Sequence, residues 1–296
     1  MSELGPSPQS EEEKETQGIS FAKEIADLRS RAETDEDFSA VLSKIQTLKE
    51  LYGLVPSSEA KLSSEVTEQM AEAKEILGQD FLGPEEIKAV FGLETIEVPP
   101  IPFSREELER AKELGQFLIL RTDQIPPDKL ELPHTRKTLE SAPETRWALV
   151  TKELIPDSTN KDYIDQTDQM ITYLEEQVFS GRGLPPEYES AATNFRGQKE
   201  KLKKLAESSD ITKTLADLAI TKLIRQNRDE LLYDLEVYKA VTDQYLLRGD
   251  YAWTSSRDSA GNMVDVGRFD SDGIHVCRYR PDTPNPNLGA VLSRSQ

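Results

Sequence analysis

Apolar residues recur along this chain at two different periods, and the change from one to the other divides it. Phe38, Val41, Leu42, Ile45, Leu48 and Leu51 stand at helical spacing and predict an amphipathic helix ended by Gly53 and Pro56. Leu62, Val66, Met70, Ala73 and Leu77 predict a second helix over Ser58–Leu77, and Pro84 opens a short third one ending near Val90. Val98-Pro99-Pro100-Ile101-Pro102 breaks the pattern and reads as a stiff connector. Ser104, with Glu107 three residues on, then forms a capping box for a helix that Gly115 ends. Phe117–Arg121 and Trp147–Val150 are short apolar runs between turn signals, the pattern of buried strands. Apolar stripes from Tyr163 to Tyr245 predict several further helices.

The last stretch, Tyr251–Gln296, has period two. Val264 and Val266 alternate with Asp265, Asp270-Ser271-Asp272-Gly273 is turn chemistry, and Ile274 and Val276 alternate with His275 and Cys277. A hairpin is expected, with a third alternating run at Leu288, Ala290 and Leu292. Its apolar positions face a core. Arg268, Asp270, Asp272, His275, Cys277, Arg278, Tyr279, Arg280, Asp282, Asn285 and Asn287 then lie on one outer face and its loop. Trp253, Phe269, Gly273 and Gly289 are expected as structural supports beneath that face.

The expected organisation is therefore α+β. Residues 1–18 form a polar, acidic tail of disordered composition. Residues 19–97 form an acidic helical module, 98–103 a Pro-rich linker, and 104–296 a second domain with a helical insertion, whose binding surface is 251–296.

Charge sharpens the division. The formal net charge is −19, yet Tyr251–Gln296 contains no Lys or Glu and balances five Arg against five Asp. The acidity lies wholly upstream, and it argues against nucleic acid or an anionic membrane surface as partners. No apolar run has the length of a membrane span, and Met1–Ser10 lacks the order of a signal peptide. Cys277 is the sole cysteine, so no internal disulfide marks a secreted protein. A cytoplasmic location is the default expectation, with surface or virion display as the exception.

Trp253-Thr254-Ser255-Ser256-Arg257, the Val264–Gly267 strand, the Phe269–Gly273 turn and Leu288–Arg294 carry a resemblance. They look like the end of a C-type-lectin-like fold, and more narrowly like the variable regions of diversity-generating retroelement target proteins of bacteria and phages. In that family, template adenines are miscopied, so that Asn codons scatter to a restricted amino-acid set. Within Tyr251–Gln296 only Trp253, Met263 and Gln296 fall outside that set. The resemblance implies a C-type-lectin-like domain with a diversified recognition surface. It also implies that Phe117–Arg121 and Leu288–Ser293 pair as first and last strands.

Enzyme signatures are absent: there is no P-loop, dinucleotide fingerprint, nucleophile elbow or H-E-x-x-H. His134 has no ligand-spaced neighbour and reads as a solvated loop residue. His275 and Cys277, two apart on a strand, share a face and supply half a metal site, with Asp270 or Asp272 as the nearby candidates for the rest. Arg280-Pro281-Asp282 and Asn285-Pro286-Asn287 match neither tripeptide set of lectin calcium sites. The expectation is a non-enzymatic binder without cofactor or metal, engaging an unknown protein or other macromolecular ligand through its C-terminal surface. An adaptor acting or oligomerising through the acidic helices is one alternative. A metal-dependent enzyme using His275 and Cys277 is the other.

Overall fold

In the computed structural model, residues 63–93, 96–125, 143–206 and 211–295 are described. The tail, the helix expected at Phe38–Leu51, the start of the second helix and His134 lie outside them.

Ser63 caps α1 (Ser64–Leu77) by accepting the Val66 N–H, and Gly78 ends it at positive φ. A two-residue strand β1 (Phe81–Leu82) and α2 (Pro84–Phe91) follow. The capping box opens α3 (Arg105–Glu113), with Ser104 Oγ and Glu107 exchanging bonds with each other's backbone N–H. β2 (Gln116–Arg121) and β3 (Arg146–Thr151) are the two buried apolar runs, paired antiparallel. Helices α4 (Tyr163–Tyr173), α5 (Pro186–Leu205), α6 (Ile211–Asp217), α7 (Ala219–Ile224) and α8 (Arg228–Thr242) fill the middle. A π-helical turn, Leu174–Val178, extends α4. β4 (Tyr251–Arg257), β5 (Met263–Asp270) and β6 (Gly273–Tyr279) form a meander, followed by β7 (Leu288–Gly289) and β8 (Ser293–Ser295).

The architecture is mixed α+β, with two four-stranded sheets ordered β1-β2-β3-β8 and β6-β5-β4-β7. β1 joins β2, and β7 joins β4, in parallel; the other neighbours are antiparallel. One core gathers both sheets around α8, whose Leu231, Leu232, Leu235 and Val237 meet Phe117, Ile119, Val266 and Ile274. The other lies among α4 to α7 and takes Trp253, Met263, Leu288, Ala290 and Leu292 from the C-terminal stretch.

Two expectations are corrected by pairing. The chain's last strand pairs with β3, not with Phe117–Arg121 (Ala148 opposite Ser295, Val150 opposite Ser293). On its other side β2 is paired with β1 at Leu118 and Ile119. Nor is Leu288–Leu292 one strand. It leaves β4 after Gly289 and crosses to the first sheet, Ala290 and Leu292 turning into the helical core while their carbonyls accept from Ile155 and Thr151 (2.8 and 3.0 Å).

The Pro-rich stretch is part of the fold. Ile101 and Phe103 are buried, and the Pro99 carbonyl accepts Trp147 Nε1–H at 2.8 Å. α1, β1 and α2 place Ala73, Leu77, Leu82 and Ile87 in the same core as β2 and β3, within a compact unit running from Leu62 to Gln296. Among the described residues no helix is long and apolar enough to cross a membrane.

Candidate functional site

Register decides which C-terminal side chains share a surface. Tyr251 stands opposite Gly267 and Trp253 opposite Asp265; Met263, Asp265 and Gly267 stand opposite Tyr279, Cys277 and His275. Directly opposed residues point to one side of a sheet, so these eight share one face. Ala252, Val264, Val266, Ile274, Val276 and Arg278 take the other, which rests on α8 and the first core. β4 lies inside the sheet and β6 at its edge. The first face is therefore covered by α4 at Trp253 and opens toward His275, Cys277 and Tyr279.

The expected single outer face divides accordingly. His275, Cys277 and Tyr279 stand together, His275 and Cys277 half-buried and Tyr279 exposed. Arg278 projects on the opposite side and pairs with Asp258 at 3.6 Å. Arg268 sits on a β-bulge, at φ 45°, exposed, its N–H donating to the Asp250 carbonyl at 2.7 Å. Asp270 accepts the Asp272 N–H and closes the turn in which Gly273 has φ 108°. Arg280 grips Asp282 through two nitrogens, and Asn285 accepts the Asn287 N–H within the following loop. Asp270, Asp282 and Asn285 thus shape the loops as well as line them.

A stack of rings supports the open end. The Tyr279 ring meets Trp253 edge-on at 6.3 Å, Trp253 meets Tyr163 edge-on at 5.8 Å, and the Arg225 guanidinium lies 4.3 Å from the Tyr163 ring centre. Arg225 is buried with no carboxylate partner among the described residues, its donors meeting the Trp253 and Tyr163 carbonyls and Thr167 Oγ1 at 3.3–3.5 Å, and burial lowers its pKa. Phe269 is buried edge-on against Tyr245 at 4.8 Å. At Gly289 a Cβ would come within 2.7 Å of Leu154 Cδ1 and 2.8 Å of Ser158 Oγ, so a larger residue there would have to displace those two side chains.

Asp265 is the residue the pattern hides. Its alternation between Val264 and Val266 predicts an outward side chain, yet it is fully buried, because both faces of β5 are covered. Among the described residues neither carboxylate oxygen finds a hydrogen-bond partner, nor does the adjacent buried Trp253 Nε1. Burial pushes the Asp265 pKa up to about 7. Burial also raises the Cys277 thiol, and the nearby Asp265 carboxylate raises it further. The Tyr251 hydroxyl is raised by burial and by Cys277, and drawn back by Arg268. A thiol held protonated in this way is a poor nucleophile and a poor metal ligand. Among the described residues no three His, Cys, Asp or Glu side chains are grouped to hold a metal ion. No sequence signal marks Asp265; only the covering of both faces does.

No protein-family model, curated protein or solved structure matches the chain.

Proposed function

We propose that this protein is a non-enzymatic binder that presents β6 and its following loop, from His275 to Asn285, to a protein or other macromolecular ligand. The observation that carries the reading is Tyr279. Among the described residues it is the exposed large aromatic, and a buried Trp253–Tyr163–Arg225 stack holds its ring from beneath. Tyr and Arg dominate binding hot spots, and a ring already held in place loses little entropy on contact. Arg280 flanks it, with His275 and Cys277 on the same face and Arg268 on the neighbouring bulge.

The scaffold we propose is C-type-lectin-like, over residues 104–296. The turn chemistry and alternation of the β5–β6 hairpin support this reading, whereas the pairing of β8 with β3 rather than with Phe117–Arg121 departs from what the resemblance implies. On this reading the retroelement-type composition reflects diversified positions on a constant frame.

Sequencing the gene's 3′ end across a population of its source tests the reading. Substitutions should concentrate at Arg268, His275, Cys277, Arg278, Tyr279 and Arg280 and spare Trp253, Gly267, Phe269, Gly273 and Gly289. An invariant 3′ end would end the case for diversification. Binding itself is tested by replacing Arg278, Tyr279 and Arg280 together with Ala. Ligand capture should be lost while Tm moves by only a few degrees, since exposed substitutions cost about 0.5 kcal/mol each. A collapse in Tm would make them core residues instead.

A further inference from the structure

The second sheet has one long strand at its rim. β6 runs seven residues, Gly273–Tyr279, along one edge, whereas β7 at the other runs two. Such an edge offers unpaired backbone groups to another strand, and chains usually blunt it with Pro, Lys or a covering segment. β6 contains neither Pro nor Lys.

Hydrogen-bond alternation identifies which of its groups are free. Along a strand, the N–H and C=O of successive residues turn to alternate sides. Tyr251 turns to β7, its N–H donating to the Asn287 carbonyl at 2.8 Å. Ala252 therefore turns to β5, and its partner Val266 back to β4. The Val264 carbonyl agrees, accepting from Thr254 Oγ1 on β4 at 2.8 Å. Asp265 and Cys277 then face each other, and the backbones of Val276 and Arg278 turn outward. Among the described residues nothing outside the sheet bonds to either backbone. Val276 is half-buried and Arg278 exposed, while Ile274, the next residue with outward groups, is buried.

We propose that β6 pairs antiparallel with β6 of a second copy of this chain, about a twofold axis at Cys277. Val276 of each copy then exchanges both backbone bonds with Arg278 of the other, which uses every accessible group of the edge. An axis one residue earlier would need the buried Ile274. His275 comes opposite Tyr279 of the second copy, and the two Cys277 meet. These are the close pairs without backbone bonds, their Cα atoms about 4.5 Å apart. Charge favours this edge for a copy. A chain of net charge −19 repels its like, but Tyr251–Gln296 balances five Arg against five Asp and β6 holds no acidic residue. Arg278 is itself paired with Asp258 at 3.6 Å. The contact is isologous, and with β7 only two residues long it closes at two copies instead of growing into a filament. Main-chain groups make the bonds, so the pairing tolerates other side chains at His275, Cys277 and Tyr279. It joins two four-stranded sheets into one and sets two Tyr279 faces side by side, where a ligand with repeated epitopes can engage both. The pairing needs no ligand, so its absence would leave the binding reading untouched.

The test is sedimentation equilibrium of the full-length protein over a concentration series in reducing buffer. A reversible monomer–dimer equilibrium is expected. Arg278→Pro removes an outward N–H and no bond to β5. It should weaken association about tenfold or more, since each dimer loses two bonds. Arg278→Ala, which keeps the N–H, should associate as the parent does. Without any substitution, diamide should link the two copies, taking up the two thiol hydrogens and their electrons as the bond between the Cys277 sulfurs forms across a spacing that a disulfide can bridge. A monomer at every concentration up to the solubility limit overturns the proposal. So does association of Arg278→Pro equal to the parent's, or a loss in Arg278→Ala equal to that in Arg278→Pro. A dimer that diamide leaves unlinked overturns the register about Cys277.

Discussion

Asp265 sets a pH dependence of stability with a definite sign. Its folded pKa of about 7 lies above that of an ordinary unfolded aspartate, near 4. At pH below both values the group is protonated in either state and costs nothing. As pH rises from about 4 to 7 the unfolded chain ionises while the folded one stays neutral, so stability falls through that window and stays lowered above it. Asp265→Asn should therefore melt with the parent near pH 4 and above it at pH 8. The gap there should be a few kcal/mol, at roughly 1.4 kcal/mol per pH unit. A gap equal at both pH values would show that the carboxylate is not carrying this penalty. Val264 and Val266 are buried as their pattern predicts; Asp265 between them is buried against it, because α8 covers one side of β5 and the Trp253 stack the other.

Among elements, β5 shows how closely one backbone passes another where it crosses the start of β4. A Cβ on Gly267 would overlap the Asp250 carbonyl oxygen, whose acceptor role toward Arg268 N–H holds the bulge. Gly267→Ala should cost about 3 kcal/mol or more, since relief requires moving backbone rather than a side chain. Gly249 has open space about its Cα and no positive φ. Gly249→Ala should be neutral or slightly stabilising, and the two can be compared by urea denaturation. A similar small effect at both would mean that the bulge relaxes freely. The hairpin was legible from Asp270-Ser271-Asp272-Gly273 and its flanking alternation, and the α3 start from Ser104 and Glu107, because these signals are local. The division of the binding residues between two faces was not, because it depends on the register with β5.

For the molecule as a whole, one buried ionic centre ties the parts together. Arg121 on β2 makes two bonds to Asp234 on α8 (3.0 and 2.6 Å), one to Ser293 on β8 (2.9 Å), and an ion pair with Glu230 at 3.2 Å. The Asp234 pKa is raised by burial and drawn back by Arg121, which itself stays charged. Around this centre the residues before the Pro-rich stretch share a core with those after it. A chain beginning at Ser104 would lose Leu77, Leu82 and Ile87 from that core and expose the β2 edge that β1 covers. It should aggregate, whereas a chain beginning at Leu62 should unfold cooperatively. Equal, reversible melts from both would make Val98–Phe103 a true boundary. By itself, the sequence determined the elements whose signals lie within a few residues: the helix caps, the apolar strands, the hairpin turn, and the shift from an acidic to a charge-balanced composition. Only tertiary structure decided that β8 closes on β3, that Pro99 holds Trp147, and that Asp265 is enclosed. Each of these depends on groups far apart in the chain, whose meeting is set by strand order and by which faces are covered, and neither is written in local periodicity.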